Sequence, residues 1–450
     1  MNRLKQIWNN LRASLWFVPS LIVAASIILS VTLIAAESTG INHWLAHWPR
    51  LFGAGSAGAS GMLSTIAGAM MTVMGVTFSM TLLTLTLASS QYTSRILRNF
   101  MSDRATQVVL GIFAGIFTYC LIVLRTIRGG DEGGYVPSLA VFFGVVLAIG
   151  GVGILIFFIH HVASSIQASC IIASVAHETM ATMERLFPDA LGQEPSDVEE
   201  DRSPLPLSER KWKVVPVKGN GYINNVDDVA LLSLALEHNT IVRMERGIGE
   251  FVVQNTPLAS LALEDPPGKE IIDALQAAYS IGRHRTMQQD SGFGIRQIVD
   301  IALRALSPGI NDTTTAVMCV DYLSAILARL ASREIPSSHR YEDGELRVIA
   351  VGPSFASLVA ESFDQIRASA TGHVAIISRM LGALQTIVGL TTSQSRRQAL
   401  REQVQWIAEL AERTIESPHD QARVENRLKL LHEAFDRDPV LSKPEARTTS

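Results

Sequence analysis

The densest set of groups able to hold a ligand lies between Gln288 and Ala316, a stretch reading QQDSGFGIRQIVDIALRALSPGINDTTTA. Carboxylates, amides and guanidiniums recur there, and helices are expected to start near Phe293 and Thr313. If Gln289, Asp290, Arg304, Asn311 and Asp312 converge around those two N-termini, the free backbone N–H groups and the helix dipoles favour a small anion. The same residues also have local structural uses. Asp290 is placed to cap a helix. Arg296, Asp300 and Arg304 lie four apart and can form a ladder of ion pairs. Ser307-Pro308-Gly309 ends that helix, and Asn311 or Asp312 caps the next. Ligand site and structural cluster both remain open on the residues alone.

A second polar set sits in an apolar setting, between Met62 and Gln91. Gly61, Gly68 and Gly75 recur every seven residues, with Ser64, Thr72, Ser79 and Thr86 close to the same helical line. A line roughly opposite carries Thr77, Thr81 and Thr84. Small residues let helices approach closely in lipid, and hydroxyls serve as a channel wall. Two such lines predict a helix packed on one side and facing water or another subunit on the other. These seven Ser and Thr residues are therefore the pore-lining candidates. Met70, Met71, Met74, Phe78, Leu82 and Leu83 supply side chains for an apolar constriction.

Other chemistry finds little support. His160, His161, Cys170, His177 and Glu178 invite a metal reading, but helical geometry puts Cys170 and His177 on one face without the His160–His161 pair. No metal site, cofactor or catalytic residue is expected. Walker glycine loops, H-E-x-x-H helices and G-x-S-x-G elbows are absent, so the chain is expected not to be an enzyme. A net charge of −4 without a basic stripe excludes a nucleic-acid partner. The three cysteines, Cys120, Cys170 and Cys319, have no disulfide spacing.

The elements that must position these groups fall into two halves. Residues 1–160 are expected to form four transmembrane helices, at about Leu15–Ala36, Met62–Gln91, Thr106–Leu124 and Val136–Ile159. The first run exceeds a signal-peptide core and lacks a good cleavage site. Trp44 and Trp48 suit a membrane interface, and Arg3, Lys5, Arg12, Arg95, Arg98 and Arg104 place both termini in the cytoplasm. Residues 161–187 read as a helical stalk continuing the fourth span, and 188–210 as a Pro-, Ser- and acid-rich linker. Residues 211–265 read as a small β-barrel-like part, 266–437 as a mainly helical subdomain, and 438–450 as a disordered tail. The fold class is mainly α, with a C-terminal cytoplasmic α+β domain.

The long motif written by Gln289, Asp290, Phe293, Gly294, Gln297, Asp300, Arg304, Ser307, Pro308, Gly309, Asn311, Asp312, Thr315 and Ala316 resembles a known family. With the four spans, "GYI" at Gly221–Ile223 and "GEFV" at Gly249–Val252, it is similar to the predicted bacterial integral membrane proteins catalogued as domain of unknown function 2254. Thr313 stands where the pattern has proline. The resemblance implies a bacterial inner-membrane protein with a cytoplasmic C-terminal domain, and no reaction. Two functions follow as expectations. One is a homo-oligomeric channel with the second span lining the pore and the cytoplasmic domain assembling or gating it. The other is a membrane-anchored sensor or scaffold whose cytoplasmic domain binds a small anion or a protein partner. The spans carry no acidic or basic residue in their apolar centres, which disfavours an ion-coupled carrier.

Overall fold

The computed structural model describes residues 16–38, 55–91, 103–128, 135–187 and 210–437, in two compact units, Met1–Cys170 and Ile171–Ser450. The interfacial tryptophans, Arg95 and Arg98, the 188–209 stretch and the 438–450 tail lie outside the described residues.

The first unit is helical: α1 (Phe17–Ser38), α2 (Ser56–Gln91), α3 (Arg104–Thr126) and α4 (Ser138–Ser165). The pattern of burial makes α3 the hub. Val109, Phe113, Ile116, Tyr119, Cys120 and Val123 are buried along it, against Ala59, Leu63, Ala67 and Met70 of α2 and Ala140, Val141, Phe158 and Val162 of α4. In lipid this packing gains dispersion contacts more than hydrophobic free energy, so close backbone approach matters most. Gly111 and Gly115 of α3 provide it towards α1. A Cβ at Gly111 would lie 2.9 Å from the Pro19 Cα, and one at Gly115 would press into Ser26. Gly144 and Gly151 of α4 likewise meet Leu63, Tyr119, Ile116 and Met70. The Tyr119 hydroxyl donates to the Ala140 carbonyl at 2.7 Å, satisfying a polar group that is fully buried.

At one end of the bundle Asp103 caps α3, accepting from the Ala105 and Thr106 backbone at 3.2 and 3.1 Å. His161 of α4 meets the same carboxylate at 2.9 Å and stacks on Phe157. One of the histidines that suggested a metal thus ties two helices together.

The helical path is interrupted at Ile166–Gln167, where the sequence pattern suggests a single stalk. Ser164 and Ser165 donate back to the carbonyls of His160 and His161, a bond that competes with the helix ladder and bends it. A new helix, α5 (Ala168–Leu186), follows, and its apolar face (Ile171, Ile172, Val175, Ala176 and Met183) is buried.

The β-rich part of the second unit is not a closed barrel. Strands β1 (Trp212–Pro216), β2 (Gly221–Val226), β3 (Val242–Met244), β4 (Phe251–Val252), β5 (Pro257–Ala262) and β6 (Tyr279–Gly282) divide between two sheets with β7 (His339–Glu342) and β8 (Glu345–Ile349). One sheet runs β1-β5-β3-β8-β7 and the other β4-β2-β6. Closure fails because β3 and β4 are too short to carry a full ring of pairs, and β3 pairs in parallel with the distant β8. The β7–β8 hairpin turns at Asp343-Gly344, both with positive φ (53° and 78°), which matches strand twist and suits these two residues. Helices α6 (Asp228–Glu237) and α7 (Lys269–Ala277) cover this core.

The rest is helical: α8 (Ser291–Ala305), α9 (Thr313–Ala331), α10 (Phe355–Ser369), α11 (Val374–Val388), α12 (Gln394–Thr414) and α13 (Pro418–Asp436). Among the described residues five helices are, by length and composition, apolar enough to cross a membrane: α1 to α4 and also α9. In the second unit α9 packs against α8, α10 and α11, burying Cys319, Val320, Leu323, Ile326, Leu327 and Leu330.

Candidate functional site

The seam of α2 keeps one side open. Ala59, Leu63, Ala67, Met70, Thr77 and Thr84 are buried against the bundle. Ser64, Thr72, Ser79 and Thr86 are exposed, and Cβ atoms at Gly61, Gly68 and Gly75 would meet nothing within 4 Å. The seven hydroxyl candidates therefore separate. Thr77 and Thr84 point into protein, Thr81 is half-buried, and only the line with the glycines lies on the open face. Thr72, Thr77, Thr81, Thr84 and Thr86 each donate to a carbonyl of the preceding turn at 2.8–3.0 Å, which leaves an oxygen lone pair outward. Next to this face, Trp16, Val23, Ile27, Met71 and Phe78 line an apolar groove of about 610 Å³. Of the constriction candidates, Met71, Phe78, Leu82 and Leu83 are exposed, while Met70 is turned into the core.

The polar cluster of the second unit is split by its own helix. Gln289 and Asp290 sit at the start of α8, whereas Arg304, Asn311 and Asp312 lie at or beyond its end. Fifteen helical residues separate the two groups by about 22 Å. Asn311 adopts a left-handed backbone (φ 49°) that closes the turn after Ser307-Pro308-Gly309. Asp312 caps α9 through the Thr315 N–H (3.0 Å) and hydroxyl (2.6 Å), and these bonds hold its carboxyl below the usual range. That end of the motif is a helix–turn–helix connector. Arg296 and Asp300 form the expected pair across one turn, at 2.9 Å.

At the other end, separate stretches of sequence meet. Asp290 is 7% exposed and caps α8 through the Phe293 N–H at 2.9 Å. It also takes a two-pronged ion pair from Arg285, Nε at 2.8 Å and Nη2 at 3.0 Å. Burial works against the charge on Arg285, but the hydrogen bond to Asp290 and the charges of Asp290 and Glu361 together outweigh it and raise the guanidinium pKa. Gly249, of the "GEFV" segment, has φ 85° and abuts the pair: a Cβ there would overlap the Asp290 carboxylate. Gln289 holds both backbone groups of Val226, accepting at 2.9 Å and donating at 3.2 Å, and so locks the "GYI" strand in place. Gly294 lets α5 cross α8, since a Cβ there would collide with Thr179. Thr182 of α5 donates to the Met287 carbonyl at 3.0 Å.

This junction forms one wall of an open cleft of about 1040 Å³, inside the second unit. Val226, Leu231, Ile248 and Leu358 make it partly apolar; Arg285, Asp290, Ser291 and Glu361 add polar groups. Glu361 comes from α10 and lies beside Gly292, whose added Cβ would sit 3.0 Å from its Oε2. Burial pushes the Glu361 carboxyl above its ordinary range, partly opposed by Arg285. Arg285, Ser291 and Glu361 carry no motif signal individually. The four-residue gap between Arg285 and Asp290 was the sole local clue.

The sequence profile described as Predicted membrane protein (DUF2254) matches residues 12–386. An uncharacterized protein of Mycobacterium bovis and one of Mycobacterium tuberculosis are each 32% identical over 452 residues, covering 99% of this chain and 85% of theirs. No solved structure matches the chain significantly.

Proposed function

We propose, from the premise that the chain belongs to the family Predicted membrane protein (DUF2254), that it assembles as a homo-oligomeric channel with α2 lining the pore. In this reading α1 to α4 are the four spans of a bacterial inner-membrane protein, and α9 is a core helix of a cytoplasmic domain that assembles or gates the channel. Both termini are then cytoplasmic, and no covalent chemistry is involved.

The observation that carries the reading is the open face of α2. Gly111, Gly115, Gly144 and Gly151 of the bundle meet neighbouring helices, whereas Gly61, Gly68 and Gly75, like Gly150 and Gly153 of α4, have no neighbour within 4 Å, and on α2 Ser64, Thr72, Ser79 and Thr86 share the side of the glycines. From Gly61 to Gly75 this line carries small and hydroxyl side chains, which suit a second helix or water, and further along Val76, Leu82 and Leu83 are exposed beside it. Purified protein in liposomes is expected to pass small ions, with flux lost in Ser79→Leu and Thr72→Leu at unchanged particle mass. Unaltered flux in both variants, or a monomer in nanodiscs, overturns the proposal.

The cleft of the second unit favours a second reading, a membrane-anchored sensor that binds a small ligand. An anion is the weaker expectation there, because the Asp290 carboxylate already occupies the α8 N-terminus and its Arg285 partner. Absence of flux together with ligand-dependent stabilisation of the full chain supports the sensor.

A further inference from the structure

Glu361 is a cleft-lining carboxyl for which the fold provides no direct partner. Among the described residues it makes no hydrogen bond, and the influences on its ionisation are burial and the more distant charges of Arg285, Asp290, Arg296 and Asp300. Arg285, the nearest cation by influence, is committed to Asp290 through both prongs of its guanidinium. Ser291, next in the chain to the Gly292 that abuts Glu361, is 2% exposed and lines the same cleft, and its Oγ has no hydrogen-bond partner among the described residues. An unsatisfied hydroxyl and an unpaired, partly buried carboxylate are each costly, and native folds rarely leave both at one place without use.

The chemistry of the missing partner can be read from what is present. The lining carboxylates (Asp228, Glu250, Asp290, Glu342 and Glu361) outnumber the guanidiniums of Arg185, Arg285 and Arg340. An anion would face this excess without a free cation beside Glu361. A metal ion is disfavoured too, since no group of three or more His, Cys, Asp or Glu among the described residues has metal-binding geometry. An ammonium has three donors, enough for Glu361 and Ser291 with one left for water. The apolar walls at Val226, Leu231, Ile248 and Leu358 suit a hydrocarbon body, and the volume of about 1040 Å³ accommodates a small molecule.

We infer that this cleft binds a ligand with an ammonium-type cation on an apolar body, and that Glu361 is the carboxylate that recognises it. The inference deepens the sensor reading and rests on it. It also assigns a route of response, because the carbonyls of Met287 and Gln288, three and two residues before the Asp290 cap, accept hydrogen bonds from Thr182 and Arg185 of α5.

The test uses the full chain in nanodiscs, titrated calorimetrically with n-hexylammonium, sodium hexanoate and 1-hexanol. Hexylammonium is expected to bind, hexanoate not to bind, and Glu361→Gln to weaken hexylammonium at least tenfold. Burial raises the Glu361 carboxyl, and a protonated carboxyl must lose its proton to take a cation, so wild-type affinity is also expected to rise from pH 5 to pH 7.5. That measurement needs no variant. Arg285, Asp290, Arg296 and Asp300 are the charged groups that tune it. Hexanol or hexanoate binding as well as hexylammonium, or Glu361→Gln leaving affinity unchanged, overturns the cation assignment and keeps the cleft as a ligand site. No binding of any probe overturns both.

Discussion

Gly249 shows how one residue can hold a junction. Its φ of 85° is expensive for other residues, and its missing Cβ leaves room for the Asp290–Arg285 pair. Gly249→Ala is therefore expected to destabilise the chain by ~1–3 kcal/mol, read from denaturant unfolding, whereas Gly352→Ala, exposed and in open space, should stay within ~0.5 kcal/mol. Glu361 makes the pH prediction at this scale. Its carboxyl is raised in the folded chain by burial, so the native state binds more protons than the unfolded state above the ordinary carboxylate range. Stability then falls as pH rises from that range through the raised folded value. In Glu361→Gln that fall should shrink, and the variant should melt higher than wild type at pH 7.5. Equal melting curves for the two proteins across pH 4 to 8 would show that the carboxyl is not held in its neutral form.

Among the helices, contact depends on where small residues fall. Gly111 and Gly115 form a small-xxx-small pair that brings α3 against Pro19, Ile22 and Ser26 of α1. Gly115→Val is expected to displace α1 and lower the melting temperature in detergent, while Gly68→Val on the open face of α2 should leave the monomer's stability unchanged. The proposed assembly adds a second readout: Gly68→Val should shift particle mass in nanodiscs towards the monomer. Unchanged mass in Gly68→Val, with Gly115→Val destabilised, would mean that the α2 face contacts no second copy. In the second unit Gly294→Ala drives a methyl into Thr179, and over-packing of this kind costs ~1–3 kcal/mol. Its effect should appear as faster hydrogen exchange in α5.

At the scale of the molecule, helix length and apolarity nominate five spans among the described residues, and the topology proposed above uses four of them. Single-cysteine labelling in intact cells separates the cases. Positions at both ends of α9 are expected to stay inaccessible to membrane-impermeant reagents added from outside. Labelling at one end of α9 from outside would make it a fifth crossing and place the chain's C-terminal end outside.

Much of this architecture was legible before folding. Apolar runs of membrane length, the Asp290 and Asp312 caps and the Arg296–Asp300 pair depend on neighbours within a few residues, so local pattern carries them. The family motif was legible too, but not its purpose: its two ends are held about 22 Å apart by the helix they share. Barrel closure was misjudged because strand pairing is a long-range choice, and β8 joins β3 from about a hundred residues away. The meeting of Gly249, Arg285, Asp290 and Glu361 is of the same kind. Three segments far apart in sequence, around Gly249, Arg285–Asp290 and Glu361, must be packed before burial, charge and close approach act on one another, and no periodicity along a single segment encodes that encounter.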